Sequence, residues 1–534
     1  MKGVAVPDSR KVLFSAVKNE APFILEWIAY HRVIGFDRII ICSNDCDDGT
    51  DEILSSLARH GIVEHLTHEV PIGVSPQLQA AQRVSEAALI ADGDWVLWLD
   101  GDEFLNVRTG TRDVASLVAA LGGRKGILIN WRLFGDSGQI PFAGRLISND
   151  FTMCSKRKNA ENCSIKTLFR QGDGIVGFQE KGVHRPKIDP TSGLTHSDFL
   201  NGKGNPLSKS YAKHKRWLAG QDIGHDAKVL DEEAGFGLAQ INHYVTRTPE
   251  MFWLKQLRGR GWAPKRADGA NNRHTAANYA AMNHNETRDE SILFWENQTT
   301  DEIASLLSLD GVAEALRLAN DIIADRLSDF RHSTFAAQVL KTPEFELTLP
   351  TDEANLVRDE YSKASSILEY GSGGSTFIAA AVPGCRTVTV ESDWNWSATM
   401  RKALYRTNAD KNVTVHWVDI GPTGPWGRPK SDTAWANYPK YALEVWDLPD
   451  FVAPDVVLID GRFRVACFLA CLFRCKKPTR ILWDDYVGRE NYYFAERYLK
   501  PSRQVGRMAV FDIEPTDVPA DKLLEIVSLF SDME

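Results

Sequence analysis

The chain has no apolar run near the roughly 20 residues that a bilayer-crossing helix needs, so no transmembrane segment is expected. Its opening residues, Met-Lys-Gly-Val-Ala-Val-Pro-Asp-Ser-Arg, lack the apolar stretch of a signal peptide. Cysteine is sparse: eight in 534 residues, none in a Cys-x-x-Cys pair, with Cys467, Cys471 and Cys475 recurring at helical spacing. Scattered thiols of this kind suit buried positions in a reducing compartment. The expectation is a cytoplasmic protein, with peripheral attachment to the inner face of a membrane left open. Positive charge is in deficit, with 62 Lys and Arg against 71 Asp and Glu for a net charge of −9. No nucleic-acid partner is expected from such a balance. The length calls for two or three domains.

Against these absences stands one conspicuous stretch, Asp92-Gly-Asp-Trp-Val-Leu-Trp-Leu-Asp-Gly-Asp-Glu-Phe104. Val96 to Leu99 reads as a buried strand, and it ends at Asp100-Gly101-Asp102-Glu103. Carboxylates crowded at a strand end repel one another unless a positive charge sits among them. A divalent cation with hard oxygen ligands, Mg²⁺ or Mn²⁺, meets that need. A polar loop after a core strand gives the same letters, so neighbouring segments must decide.

Those neighbours alternate. Val12 to Val17 and Arg38 to Cys42 read as strands; Pro22 to Ile34, Asp51 to His60 and Gln77 to Ala91 read as helices. Such βα alternation predicts a parallel sheet, which binds ligands at the carboxyl ends of its strands. Lys18-Asn19-Glu20, Asp45 to Asp48 and Asp100 to Glu103 all fall at those ends. From Arg247 to Arg273 there are seven basic residues against Glu250 and Asp268, a local excess that fits either an anion partner or a solvated helix face.

The set Lys18-Asn-Glu-Ala-Pro22, Glu26-Trp-Ile-Ala-Tyr-His31, Gly35-Phe36, Asp47-Asp-Gly49, Leu99-Asp-Gly-Asp-Glu-Phe104, Trp131-Arg-Leu-Phe-Gly135 and Asn242-His-Tyr244 resembles the family-two-like glycosyltransferases, nearest the branch related to family ninety-two. The resemblance spans residues 10–265 and implies a GT-A, Rossmann-like fold. It also implies a nucleotide-diphospho-sugar donor, most simply a UDP-sugar, a glycan acceptor, and a divalent metal on a DXD motif. On that basis Asp100, Asp102 and His243 would hold Mn²⁺ or Mg²⁺. Glu20 with Asp47 or Asp48 would meet the nucleoside, and Arg247, Lys255 and Arg258 would meet the diphosphate or an acidic acceptor. The catalytic base is open among Asp136, Glu180 and Asp198, with Asp136 preferred.

A helical stretch from Thr300 to Phe330 lies in an expected connector over 266–345, preceded by a linker or loop from Asn271 to Thr287. A second βα series fills 346–534. Ile367-Leu-Glu-Tyr-Gly-Ser-Gly-Gly-Ser-Thr376 is a strand running into a Gly-rich turn, and Glu391 follows Gly371 by twenty positions, where a ribose-binding acid is expected. Later strands end in Asp419, Asp460 and Asp484-Asp485, and Val505 to Ile513 reads as a closing antiparallel strand. This half resembles class I S-adenosylmethionine-dependent methyltransferases. The resemblance implies a doubly wound sheet with Glu369, Gly371, Gly373, Glu391 and Asp419 on the cofactor, and Asp460 or Asp485 as base for an oxygen acceptor. Ser375 departs from the pattern, standing where a third glycine is common. The whole reads as an α/β chain that transfers and then methylates a sugar in surface polysaccharide or glycan synthesis. The alternative is a glycosyltransferase whose second half is a non-catalytic glycan-binding or scaffolding module.

Overall fold

The computed structural model describes residues 9–224, 227–259 and 274–532. The chain forms two compact units, residues 1–339 and 340–534.

The first unit is built on a nine-stranded sheet. β1 (Lys11–Val17), β2 (Arg38–Asn44), β3 (Glu64–His68) and β4 (Trp95–Trp98) run parallel in the order β3-β2-β1-β4. Beyond β4 the order continues through β7 (Ile165–Arg170), β6 (Gly126–Leu133), β8 (Ala239–His243) and β5 (Glu103–Val107). The short strand Phe199–Leu200 pairs beside β6. β4 is buried on both faces, as expected of a strand covered by helices on either side.

Helices α1 (Ala21–Val33), α2 (Thr50–Arg59) and α3 (Pro76–Glu86) follow β1, β2 and β3. α3 stops short of the expected Ala91, where Ala88 takes a left-handed conformation. After α4 (Pro249–Arg258) and α5 (Ala276–Met282), helices α6 (Glu296–Leu307) and α7 (Val312–Ser328) belong to this unit. Leu306, Val312, Ala315 and Ala319 join the same core as Trp27, Ile53 and Leu57. The amphipathic stretch expected as a connector therefore covers α1 and α2. The expected linker from Asn271 instead contains α5 and a short strand pairing of Thr287 with Cys154.

The second unit is a doubly wound seven-stranded sheet. β9 (Ser366–Tyr370), β10 (Arg386–Glu391), β11 (Val413–Trp417), β12 (Val456–Ile459) and β13 (Thr479–Trp483) are parallel in the order β11-β10-β9-β12-β13. β15 (Met508–Ile513) closes the edge antiparallel to β13 and pairs with β14 (Arg503–Val505). The three helically spaced cysteines lie on α8 (Arg464–Arg474) or just past its end, buried and free.

Candidate functional site

In the first unit the acidic turn between β4 and β5 is assembled from three directions. Gly101 lets the turn approach Glu20: a Cβ there would stand 3.1 Å from Glu20 Cγ. Glu103 opens β5 and pairs in register with His243 at the end of β8, so the sheet itself carries His243 to the turn. α4 begins with Thr248, whose hydroxyl accepts from Met251 N, and with Pro249 at its first position. Three residues apart on this helix, Lys255 and Arg258 share a face.

The result is four carboxylates against four bases. Lys166, fully buried on β7, donates to Asp100 Oδ2 at 3.0 Å and lies 3.3 Å from Glu103 Oε2. Lys255 donates to Asp102 Oδ2 at 2.5 Å and to Val245 O at 2.6 Å. Arg247, stacked 3.7 Å over the Phe23 ring, donates to Glu20 Oε2 at 3.2 Å, and Arg258 pairs with Glu20 Oε1. Burial alone would raise the Asp100 and Asp102 pKa values, but Lys166 and Lys255 outweigh it and hold both low. Burial pushes Glu103 up, and it lowers Lys255 to about 8 against the pull of Asp102. The crowding that sequence reasoning assigned to a metal is thus largely met by the chain's own ammonium and guanidinium groups. Lys166 was the residue whose role was missed. Its signal was a lone lysine in the apolar run Ile165-Lys-Thr-Leu-Phe169, since a buried charge requires a partner.

The other expected residues fall into place less evenly. Asp47 is exposed, hydrogen-bonded to Asn19 and ion-paired to Arg326 at 3.1 Å. Asp48 is buried and spent on structure, accepting from Thr50 N, Thr50 Oγ1 and Ala21 N. Asp136 differs most from expectation. Tyr279 Oη, Asn283 Nδ2, Asn285 Nδ2 and Gly138 N all donate to its buried carboxylate, so no lone pair faces an acceptor hydroxyl. Arg260, Lys265, Arg266 and Arg273 of the basic stretch lie outside the described residues.

The donor set fits a cation in part. His243 Nε2 stands 3.6 Å from Asp102 Oδ1, and His243 Nδ1 is buried without a hydrogen-bond partner among the described residues. Two donors this far apart are within reach of one Mg²⁺-sized ion at about 2.1 Å from each. Asp100 has both oxygens occupied, Oδ2 by Lys166 and Oδ1 by Gln77 and Trp98. Among the described residues no three His, Cys, Asp or Glu side chains converge as a metal cluster, so substrate oxygens would have to supply the remaining positions.

In the second unit the loop after β9 is set from below. Gly371 has φ +98°, and a Cβ there would meet the Gly461 backbone at 2.9 Å. Glu369 lies wholly under the loop, accepting from Tyr361 Oη at 2.9 Å and Thr376 Oγ1 at 2.6 Å, and burial raises it to about 7. Its effect on a ligand is through the loop it anchors. Beside Gly373 the space is open. Glu391 Oε1 accepts from Ser372 N and Oγ, and burial raises this carboxyl too to about 7. Asp419 is exposed and accepts from Gly421 N. Asp460 holds one ion pair, to Arg464 at 3.0 Å, and desolvation with repulsion from Asp484 and Asp485 lifts it to about 6. Asp485 is committed to Arg489 at 2.7 Å and Arg507 at 3.1 Å. An open loop with an acid across from it fits a nucleoside cofactor.

No family model matches the chain. Over 92 residues it is 33% identical to a family 92 glycosyltransferase of Oryza sativa subsp. japonica, 17% of this chain and 15% of that protein. Over 120 residues it is 28% identical to one of Arabidopsis thaliana, 22% of this chain and 20% of that protein. The chain thus spans a fifth or less of the length of these curated relatives. A methyltransferase-like protein of Silicibacter pomeroyi DSS-3 is 43% identical, with a TM-score of 0.34, 35% of this chain matching 98% of that one. Through a portion about the length of its second unit the chain belongs to the family of that methyltransferase-like protein, and it carries besides a stretch similar to family 92 glycosyltransferases.

Proposed function

We propose that the first unit is a glycosyltransferase using a nucleotide-diphospho-sugar, a UDP-sugar in the simplest case, with Mn²⁺ or Mg²⁺. The second unit is proposed as an S-adenosylmethionine-dependent O-methyltransferase, the two serving cytoplasmic synthesis of a surface polysaccharide or other glycan. The observation that carries the first part is the pairing of Asp100 and Asp102 with buried lysines at the strand ends. Asp102 and His243 would hold the metal, and Asp100, fixed by Lys166, would reach it by exchanging that partner. When bound, the cation neutralises charge on the leaving diphosphate. Lys255, Arg247 and Arg258 add fixed positive charge on the same side, preorganised by Asp102 and Glu20 so that little reorganisation is needed as the bond breaks.

For the second unit, the Gly371–Gly373 loop and Glu391 would receive the cofactor, whose sulfonium supplies an electrophilic methyl group. Glu391 would accept from the ribose hydroxyls. Asp460, near neutrality and bound by a single arginine, is better suited than Asp485 to take the acceptor hydroxyl proton. Screening nucleotide-diphospho-sugars for thermal stabilisation with Mn²⁺ tests the donor, since a bound ligand raises apparent stability by mass action. Calorimetry should show S-adenosylmethionine binding that is lost in Glu391→Ala; no binding to the unaltered chain contradicts the methyltransferase part.

A further inference from the structure

The turn that leads into β7 carries three adjacent bases, Lys156-Arg157-Lys158, all exposed. No hydrogen bond or ion pair reaches their side chains among the described residues. On a loose segment such neighbours would swing apart, but the backbone beneath these is fixed. Asn162, 1% exposed, donates through Nδ2 to Lys156 O at 2.9 Å and to Arg157 O at 3.2 Å. Its Oδ1 accepts from Ser155 Oγ at 3.0 Å, and its carbonyl accepts from Asn130 Nδ2 on β6 at 2.8 Å. The nearby acid in the turn, Glu161, is already paired with Lys228 at 3.0 Å. Tyr211 Oη donates to Lys228 O at 3.4 Å, and Lys213 stands 5.7 Å over the Tyr211 ring, so further bases flank the turn.

The sheet places this turn at the edge that bears the acidic site. β7 pairs antiparallel with both β4 and β6, so β4 and β6 run in one direction and end at one edge. Ser155 N donates to O of Leu133, the last residue of β6, at 2.8 Å, which seats the start of the turn there. The chain then enters β7, whose second residue, Lys166, holds Asp100 at 3.0 Å. A single defined anion calls for forked donors with fixed geometry. Three outstretched cations on a bare, rigid turn suit a broad anionic surface instead. The net charge of −9 disfavours approach to such a surface by the chain's acidic faces and leaves this one to meet it.

We infer that the turn Lys156-Arg157-Lys158 docks the first unit on an anionic lipid surface, with the carboxyl edge of its sheet turned toward the headgroups. This gives the membrane attachment that composition left open a place in the fold. Docked so, the acidic turn faces the plane in which a lipid-carried sugar acceptor would present its free end. The inference rests on the sugar-transfer reading only for that last role, since the lipid contact itself needs no donor and no metal.

Co-sedimentation of the full chain compares vesicles of pure phosphatidylcholine with vesicles of equal parts phosphatidylcholine and phosphatidylglycerol. The unaltered chain should pellet with the mixed vesicles alone, and raised salt should release it. Lys156→Gln, Arg157→Gln and Lys158→Gln together should weaken binding about a hundredfold, roughly fivefold for each base withdrawn from an anionic surface. Thermal unfolding of that variant should match the unaltered chain, because the replaced side chains make no hydrogen bond or ion pair in the fold. The same charge removed from the second unit, by Arg406→Gln, Lys411→Gln and Lys476→Gln together, should leave vesicle binding within about twofold. Binding to neither vesicle, or equally to both, overturns the proposal. So does binding that survives the triple change at the turn, or that both triple changes weaken alike. Capture of soluble polygalacturonate through the three bases, without binding to mixed vesicles, overturns it too and gives the turn to an acidic acceptor. Vesicle binding that depends on the turn, in a chain that does not hydrolyse a sugar nucleotide, would uphold the lipid surface and remove only the sugar-transfer role.

Discussion

Lys255 is held between opposing demands: burial and two arginines favour losing its proton, and Asp102 favours keeping it. Replacing it with Met leaves Asp102 buried beside His243 without its ammonium. Breaking a buried pair from one side costs about 3–5 kcal/mol, so Lys255→Met should lower the unfolding temperature of the first unit. Added Mn²⁺ should restore part of that loss, and restore more in the variant than it adds to the unaltered chain. Thermal unfolding with and without Mn²⁺ checks both, and a variant indifferent to the ion contradicts the metal seat. In the second unit Glu391 gives a pH prediction. Its carboxyl, raised to about 7, is mostly neutral at pH 6 and ionised at pH 8. Ribose hydroxyls bind an ionised acceptor more strongly, so S-adenosylmethionine affinity should rise through pH 7, and Glu391→Gln should flatten the profile.

At the level of elements, α2 and α7 meet where Gly49 faces Ala319. A Cβ at Gly49 would stand 2.6 Å from Ala319 Cβ, and Gly49 has φ +93°. Gly49→Ala should therefore destabilise the first unit by about 1–3 kcal/mol, measured by denaturant unfolding. Asp136 makes the same kind of structural contribution to the 283–285 turn. Asp136→Asn should lower stability by about 1–3 kcal/mol through an unmatched donor, with sugar-nucleotide KM unchanged. Some of these elements could be read from the letters and some could not. β4 was visible because Val96 to Leu99 is apolar throughout and stops at acids. β3 was not, because Glu64-His-Leu-Thr-His68 is an edge strand whose polar residues break any buried pattern. β5 hid inside the acidic motif, since Glu103 serves as both turn residue and first strand residue. The carboxylates of the site were legible as strand-end acids. Their partners were not: Lys166 and Lys255 lie 66 and 153 positions from the acids they neutralise, and only the sheet order and α4 bring them there.

Among the described residues each unit carries core clusters of its own, the main one of the first around Trp27, Leu97 and Ile129 and that of the second around Tyr370, Ile459 and Trp483. Two ligands should accordingly act on two unfolding transitions. A UDP-sugar with Mn²⁺ should raise one, S-adenosylmethionine the other, each by mass action on its own unit. A single ligand moving both transitions equally would contradict independent sites. The central claim, that Asp100-x-Asp102 seats a sugar-nucleotide diphosphate, is tested most directly by metal-dependent hydrolysis of the donor that the thermal screen identifies. The unaltered chain should hydrolyse it with Mn²⁺, and Asp102→Asn should lose about a hundredfold or more of that rate, the scale of a lost transition-state charge contact. Retained S-adenosylmethionine binding in the same sample would show that the variant's second unit is folded, and a far-ultraviolet spectrum unchanged from the unaltered chain would show that its first unit is. Undiminished hydrolysis by Asp102→Asn would contradict the assignment.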